Sequence, residues 1–257
     1  MFYEKDGKLF FERKGETVCL YAQGRNALRV RATMEREFQD TDWALSGAKQ
    51  VRAKIEIKED SAKISNGKIS ASITRLGQIR FFKDGSPLIE EYYRCYEYEM
   101  PHTPSLRILA REFKPIRGGD YETTLRFESC DGEKIFGMGQ YQQPYLDLKG
   151  CALELAQRNS QISVPFALSS RGYGFLWNNP AVGKVTFGKN VTEWHAESTK
   201  QSDYWITADD SPKAIMKNYT DLVGRAPEFP ENAMGLWQCK LRYRTQEEVL
   251  DVAREYH

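Results

Sequence analysis

Pairs of neighbouring carboxylates are the residues of this chain that could most directly do chemistry, because two carboxyl groups can share general acid and base work. The pairs are Glu90-Glu91, Asp209-Asp210 and Glu247-Glu248. The second precedes a predicted helix N-cap and the third falls in a first helical turn, where negative charge suits the helix dipole. The first is expected on a solvated strand or loop face. No pair is therefore set apart as an acid/base pair.

The sequence lacks the usual motifs for binding a metal ion, for binding a nucleotide and for catalysis by a serine nucleophile. The three histidines, His102, His195 and His257, are isolated, and the five cysteines form no C-x-x-C pair. His195 follows Trp194 and is expected to be structural or exposed. There is no G-x-G-x-x-G, phosphate loop or G-x-S-x-G. These observations predict no metal site and no bound cofactor.

Polar residues concentrate in two places that could contact a ligand. An irregular, glutamine-rich stretch covers residues 139–150. A long polar loop inside a compact domain is often functional, although an ordinary surface loop is an equal alternative. The second place is the segment 237–243, Trp-Gln-Cys-Lys-Leu-Arg-Tyr, close to the end of the given sequence.

The glutamine-rich stretch of residues 139–150 must be positioned by the short strands around it. Runs such as 8–13, 17–21, 27–32, 162–168 and 204–207 read as strands, with turn signals between them. Alternation of apolar and polar residues with turns every 8–12 residues indicates antiparallel sheets in a sandwich or barrel. The tryptophans at 177, 194 and 205 fall in such runs and are expected in the core.

The pattern changes after residue 210. Ser211 and Pro212 predict an N-cap and first helical position, and Gly224 predicts the helix end. Residues 234–239 read as a short buried strand. A capping box from Thr245 to Glu248 then opens an amphipathic helix that is still running at His257. Because one strand–helix unit cannot bury itself, we expect further strand–helix units to follow.

Composition excludes several classes of protein. Lys and Arg total 37 and Asp and Glu total 36, so the charge balance gives no basic surface for nucleic acid. No apolar run approaches the roughly 20 residues that cross a bilayer. The first residues lack the apolar stretch of a secretory signal, and with the scattered cysteines this favours the cytoplasm. Aromatic residues at 12% suit a sandwich core or a surface that handles carbohydrate.

A family resemblance appears in residues 135–257. The sequence I-F-G-M-G-Q leads into the polar stretch, and 164–178 contains P-F, then S-S-R-G-Y-G-F-L-W-N. Residues 224–230 read G-R-A-P-E-F-P, and 235–237 read G-L-W. In this order the motifs resemble the N-terminal region of glycoside hydrolase family 31. Residues 1–134 match it only in general β character.

The resemblance implies a mainly β fold, a galactose-mutarotase-like antiparallel β-sandwich followed by the first βα unit of a truncated (β/α)8 barrel. Residues 1–210 would be the sandwich, 211–232 a helix and Pro-containing connection, and 233–257 the first barrel strand and helix. The implied activity is retaining hydrolysis of α-glycosides. Both catalytic aspartates of the family are expected beyond His257, and that chemistry needs no metal. Residues 1–257 alone are expected to be inactive.

The resemblance also implies substrate contacts. They are expected from the polar stretch and from the first barrel strand, whose end faces the active site: Gln140, Tyr141, Gln142, Gln143, Trp237, Gln238, Lys240 and Arg242. For Lys240 and Arg242, solvated charges or ion pairs remain an equal alternative. The segment 237–243 is similar to the version found in many α-xylosidases, which favours α-xylosides over α-glucosides as substrates.

Two other interpretations stay open. A free-standing carbohydrate-binding sandwich would explain the aromatic residues and the missing acid/base pair. A sugar mutarotase would share the fold, but it needs a histidine and carboxylate set that this chain does not show. The expected partners are an oligosaccharide and the remainder of a barrel, with no nucleic acid and no membrane. A second copy of the chain, covering the apolar face of residues 233–257, is a further candidate.

Overall fold

Antiparallel strands dominate the computed structural model, which describes residues 1–40, 42, 44–45, 47, 49–95 and 107–257. His102 lies outside the described residues. The strands are β1 Phe2–Lys5, β2 Lys8–Arg13, β3 Glu16–Ala22, β4 Ala27–Thr33, β5 Lys54–Ile57, β6 Ser61–Asn66, β7 Ile69–Thr74, β8 Ile79–Lys83, β9 Ser86–Glu90, β10 Arg94–Cys95, β11 Arg107–Ile108, β12 Arg111–Pro115, β13 Tyr121–Glu128, β14 Ile135–Gln140, β15 Ala152–Leu155, β16 Ile162–Ser169, β17 Tyr173–Trp177, β18 Gly183–Phe187, β19 Val191–Thr199 and β20 Gln201–Ala208. The helices are α1 Pro212–Val223, a 3-10 turn Glu231–Met234 and α2 Gln246–Tyr256.

Three main sheets and one short ribbon organise these strands. The largest has eight strands in the order β1-β2-β3-β4-β20-β17-β16-β14. Two five-stranded sheets have the orders β12-β13-β19-β18-β15 and β5-β6-β7-β8-β9, and β10 pairs with β11. Apolar side chains from all three main sheets form one buried cluster, which confirms the predicted antiparallel sandwich.

The predicted aromatic core is confirmed. Trp177, Trp194 and Trp205 are 1%, 2% and 0% exposed. Trp177 and Trp194 lie in the main core, where the ring of Trp194 also stacks on Phe175 at 5.0 Å between centroids. Trp205 belongs to a second cluster on the opposite face of the eight-stranded sheet, because successive residues of a strand point to opposite faces.

Helix α1 covers that second cluster. The Ser211 hydroxyl accepts a hydrogen bond from the Ala214 amide at 3.2 Å, Pro212 occupies the first helical position, and the helix ends at Gly224. All three features are as predicted. Ile215 and Leu222 are buried against the sheet beside Trp205. The helix therefore closes the outer face of the sandwich.

The chain divides into a compact unit of residues 1–224 and a second unit of residues 225–257. In the second unit, the predicted N-cap of α2 forms, with the Glu248 amide donating to the Thr245 hydroxyl at 3.3 Å. The Glu248 carboxylate accepts from the Arg244 amide at 2.8 Å, one residue before the Thr245 amide that a capping box uses. The strand predicted over 234–239 does not form in the described structure, where Met234 ends the 3-10 turn and residues 235–239 are irregular. A strand needs neighbours that accept its backbone hydrogen bonds. Within the described residues, no segment pairs with 235–244.

In the described part of the chain, neither α1 nor α2 has the length and apolar character that crossing a lipid bilayer requires. The same part of the chain groups no three His, Cys, Asp or Glu side chains in a way that could hold a metal ion.

Candidate functional site: a polar loop after strand β14

A bulge in strand β14 sets the start of the candidate site. Gly137, Met138 and Gly139 have φ values of 100°, 69° and 93°, and the pairing of β14 with β16 shifts register there. A Cβ on Gly139 would lie far inside van der Waals contact of the Ile162 carbonyl oxygen, so only glycine allows the strands to approach this closely. The Met138 side chain is buried in the core. The bulge leads the chain into residues 141–150, which we call the polar loop.

The first residue of the polar loop is anchored. The Tyr141 hydroxyl lies 2.9 Å from the Glu154 carbonyl oxygen and 2.8 Å from the Ser163 hydroxyl. The tyrosine ring packs against the main core, and burial raises the pKa of its phenol. The group is therefore neutral and can donate one hydrogen bond while it accepts another.

The far end of the polar loop is held by a carboxylate. Asp147 accepts hydrogen bonds from the Ile135 and Lys149 amides, both at 3.0 Å. The backbone hydrogen bond from Lys149 is the main cause that holds the pKa of Asp147 below its usual value. The Lys149 ammonium reaches the buried Glu133 at 3.2 Å. Both ends of the loop are thus fixed to the sandwich.

Glu133 joins this end of the loop to the interior. Its carboxylate accepts hydrogen bonds from the Ser169 hydroxyl at 2.6 Å and the Tyr173 hydroxyl at 2.7 Å. Together with Lys149 these partners satisfy a charge that is only 6% exposed. Tyr173, which the sequence places in a Gly-Tyr-Gly segment, therefore has a structural role.

Just before the first anchor, and between the two anchors, glutamine side chains carry amide groups. Gln140 and Gln142 are exposed and Gln143 is half-buried. Within the described residues, no hydrogen bond occupies the side-chain amide of these three glutamines. Each amide offers donors and an acceptor, the groups that bind sugar hydroxyls. The structure thus brings Gln140, Tyr141, Gln142 and Gln143 together at one edge of the eight-stranded sheet.

The remaining candidate residues lie in the second unit, residues 225–257. Trp237 is 76% exposed, and its indole nitrogen donates to the Ala233 carbonyl at 2.7 Å. The Gln238 amide donates to the Tyr243 hydroxyl at 3.1 Å and accepts from the Tyr256 hydroxyl at 3.3 Å. The Lys240 ammonium lies 5.7 Å from the centre of the Tyr243 ring. Gln238 and Lys240 therefore both lie against Tyr243, and Trp237 and Arg242 are exposed on the same segment.

None of the carboxylate pairs forms an acid/base pair within the described residues. The expectation that Glu91 is solvated is wrong, because its side chain is 0% exposed and lies 2.6 Å from Arg111. The Asp209 carboxylate accepts from Asn26 at 3.0 Å and Asn218 at 3.3 Å. These are structural contacts, as the sequence indicated for Asp209. His195 is also structural, with its ring nitrogen 3.1 Å from the Glu122 carboxylate.

Sequence reasoning missed the residues that hold the polar loop. Asp147, Glu154 and Ser163 are 6, 13 and 22 positions from Tyr141 in sequence, and their residue types are common in surface strands. The one available signal was the composition of residues 157–161, Gln-Arg-Asn-Ser-Gln, whose side chains can all form hydrogen bonds. That signal gave no indication that the two segments are joined.

The fold and the loop define a class of protein: a galactose-mutarotase-like β-sandwich that presents an anchored polar loop and, among its described residues, no catalytic carboxylate pair. The chain belongs to the family described as the glycosyl hydrolase 31 N-terminal galactose mutarotase-like domain, which matches residues 17–185. The resemblance found in the sequence is thereby confirmed.

The similar proteins are family 31 enzymes. The chain is 49% identical to an uncharacterized family 31 glucosidase of Pseudescherichia vulneris, over 96% of this chain and 48% of that protein. It is 37% identical to an α-xylosidase of Saccharolobus solfataricus, over 53% of this chain and 20% of the other. The crystal structure of a family 31 α-xylosidase from a soil metagenome, complexed with xylose, matches all of this chain and 39% of its own, with a TM-score of 0.88 and 49% identity. The chain thus spans about half the length of the first of these relatives, or less of the others.

Proposed function

We propose that this chain is the N-terminal part of a retaining α-glycosidase that removes terminal α-linked xylosyl or glucosyl residues from oligosaccharides. The observation that carries the proposal is the 49% identity over 96% of the chain to a family 31 glucosidase. The same identity to an α-xylosidase solved with xylose supports it. The nucleophile and the acid/base, two carboxyl groups about 5–5.5 Å apart in retaining enzymes, are supplied by residues beyond 257.

In this proposal the chain contributes substrate contacts rather than bond cleavage. Gln140, Gln142 and Gln143 offer unoccupied amides on an anchored loop. The first strand of the catalytic barrel and the end of that strand contain Trp237, Gln238, Lys240 and Arg242. This strand forms only when further barrel strands pair with it. Barrel enzymes bind substrate at that end of the strands. The partners are the oligosaccharide and the remainder of the barrel.

The similarity to α-xylosidases favours xylosides over glucosides. The two sugars differ in the hydroxymethyl group that glucose carries on C5 and xylose lacks. The test is hydrolysis of 4-nitrophenyl α-xyloside and α-glucoside by the full gene product, with residues 1–257 as the comparison. We expect hydrolysis by the full product, with a higher kcat/KM for the xyloside, and none by residues 1–257. Mutation-sensitive hydrolysis by residues 1–257 alone would contradict the assignment of catalysis to later residues.

A free-standing carbohydrate-binding module is the second candidate. It is favoured by the exposed amides of the polar loop and by the missing acid/base pair among the described residues. The natural gene distinguishes the two, because a stop codon directly after the His257 codon favours the module, and continuation through aspartate-bearing barrel strands favours the enzyme. For either candidate we propose a cytoplasmic protein, in keeping with the free thiols of Cys19, Cys130, Cys151 and Cys239.

A further inference from the structure

Two polar segments that are separate in sequence meet at one serine. The first is the polar loop with its glutamines, and the second is the turn of residues 157–161 before strand β16. Ser163 lies between them and is only 9% exposed. The turn forms hydrogen bonds with the backbone of Ser163, and the polar loop forms one with its hydroxyl. The two segments are therefore joined by hydrogen bonds through this residue.

The Gln157 side chain holds the backbone of Ser163. Its amide nitrogen donates to the Ser163 carbonyl at 2.8 Å, and its amide oxygen accepts from the Ser163 amide at 3.0 Å. This paired geometry replaces a strand neighbour and sets the position of the serine hydroxyl. The adjacent Arg158 forms an ion pair with Glu154, which ties the turn back to strand β15.

The direction of the remaining hydrogen bonds follows from the chemistry of the groups. The Glu154 carbonyl oxygen can only accept, so the Tyr141 hydroxyl donates its one hydrogen to it, across 2.9 Å. The Ser163 hydroxyl then donates to the tyrosine oxygen across 2.8 Å. The hydrogen of Tyr141 is therefore committed inside the protein and is not available to a sugar.

We propose that Tyr141 is a positioning residue, which through Ser163 and Gln157 holds Gln142 and Gln143 in the geometry that binds the sugar. The proposal rests on the proposed function, since it takes these glutamines as substrate contacts. Gln142 follows Tyr141 directly in the chain. If the tyrosine side chain moves, the side-chain amides of Gln142 and Gln143 therefore move with it. The turn of residues 157–161 thereby influences sugar binding without touching the sugar.

The test compares two single variants, their double variant and a control in the full gene product. Tyr141→Phe keeps the packed ring and removes the hydroxyl, and Ser163→Ala removes the partner hydroxyl. The matched control is Tyr3→Phe, because Tyr3 donates to Glu12 at 2.6 Å at the opposite edge of the same sheet. Amide hydrogen exchange at Ser163, whose amide donates to Gln157, reports how firmly this anchor of the polar loop is held. KM and kcat for 4-nitrophenyl α-xyloside report substrate binding and the chemical step.

In Tyr141→Phe we expect exchange of the Ser163 amide to quicken about five-fold, the factor that fits the loss of one net hydrogen bond. KM is expected to rise by a similar factor with kcat nearly unchanged. Ser163→Ala should behave alike, and the double variant should add little to either single change, since both break one connection. Tyr3→Phe should change neither quantity.

Unchanged exchange and unchanged KM in both loop variants would overturn the proposal, as would equal effects in Tyr3→Phe. If the wild-type protein hydrolyses neither glycoside, the proposed function fails and the exchange measurement decides the positioning role by itself. Loss of kcat with KM unchanged would also overturn it, because the effect would then lie in the chemical step rather than in binding.

Discussion

The Arg111 guanidinium holds both oxygens of the Glu91 carboxylate at 2.6 Å, at a depth where Glu91 is 0% exposed. Arg111 also donates to the Glu16 carboxylate at 2.6 Å and to the Gly77 carbonyl at 2.9 Å. The second oxygen of Glu91 accepts from the Ile79 amide at 2.9 Å. This network links the end of β9 to strands β12, β3 and β8, which belong to all three main sheets.

Replacing Arg111 by methionine should destabilise the protein strongly, because the Glu91 charge would stay buried without its partner. Breaking a buried ion pair in this way costs about 3–5 kcal/mol. The measurement is the free energy of unfolding in urea. The control is Arg75→Met. Arg75 forms an exposed ion pair with Asp60 at 3.5 Å, and its loss should lower the free energy of unfolding by less than about 1 kcal/mol. A loss for Arg111→Met as small as that of the control would show that Glu91 is not charged in the folded protein.

The Asp147 carboxylate should make the stability of the protein depend on pH. Its folded-state pKa is lowered, so its stabilising effect is complete above its ordinary pKa of about 4 and is lost as pH falls through the lowered value. We expect Asp147→Ala to cost about 1 kcal/mol at pH 7, and less at pH 3, which lies below the ordinary pKa of the group. Urea unfolding at both pH values measures this. The matched control is Asp131→Ala, at an exposed turn before β14, which should cost little stability. An equal cost of Asp147→Ala at both pH values would contradict the prediction.

Gly139→Ala should disrupt the entry to the polar loop. Gly139 has a φ of 93°, which strains any residue with a side chain, and the Ile162 carbonyl oxygen lies where the new Cβ would be. Gly118→Ala is the matched control, since Gly118 has a φ of 101° but no atom within 4 Å of the new Cβ. Backbone strain alone costs about 1–3 kcal/mol, so the control reports that part. We expect a clearly larger loss of unfolding free energy for Gly139→Ala, and equal losses would mean that β14 and β16 separate easily.

Helix α2 should exchange its amide hydrogens quickly in a protein of residues 1–257. None of its side chains is buried, and Val249 and Leu250 are 48% and 38% exposed. Isolated helices of this length are marginal in water. Helix α1, which buries Ile215 and Leu222, is the internal control and should be protected. In the full gene product α2 should become protected, whereas strong protection of α2 in residues 1–257 alone would argue against the barrel assignment.

Local sequence determined the features that depend on neighbouring residues. Helix α1 begins and ends where Ser211, Pro212 and Gly224 indicate, because an N-cap, a fixed φ and a flexible C-terminal residue act within one turn. Strand β2 has the predicted bounds, 8–13, since alternation of apolar and polar residues is also local. The order of the later motifs was enough to identify the family that the comparisons confirm.

Tertiary structure decided the features whose partners lie far along the chain. Glu91 is buried rather than solvated because Arg111 follows 20 residues later, and sequence spacing alone does not bring those two groups together. Residues 234–239 have strand-like composition but form no strand, since a strand requires a neighbour that the described residues do not supply. The Tyr141 hydroxyl is likewise committed by Glu154 and Ser163, which become its neighbours only when β14, β15 and β16 are in place. Hydrogen bonds and ion pairs of this kind form between groups that are close in space, and these groups become close only when the chain folds.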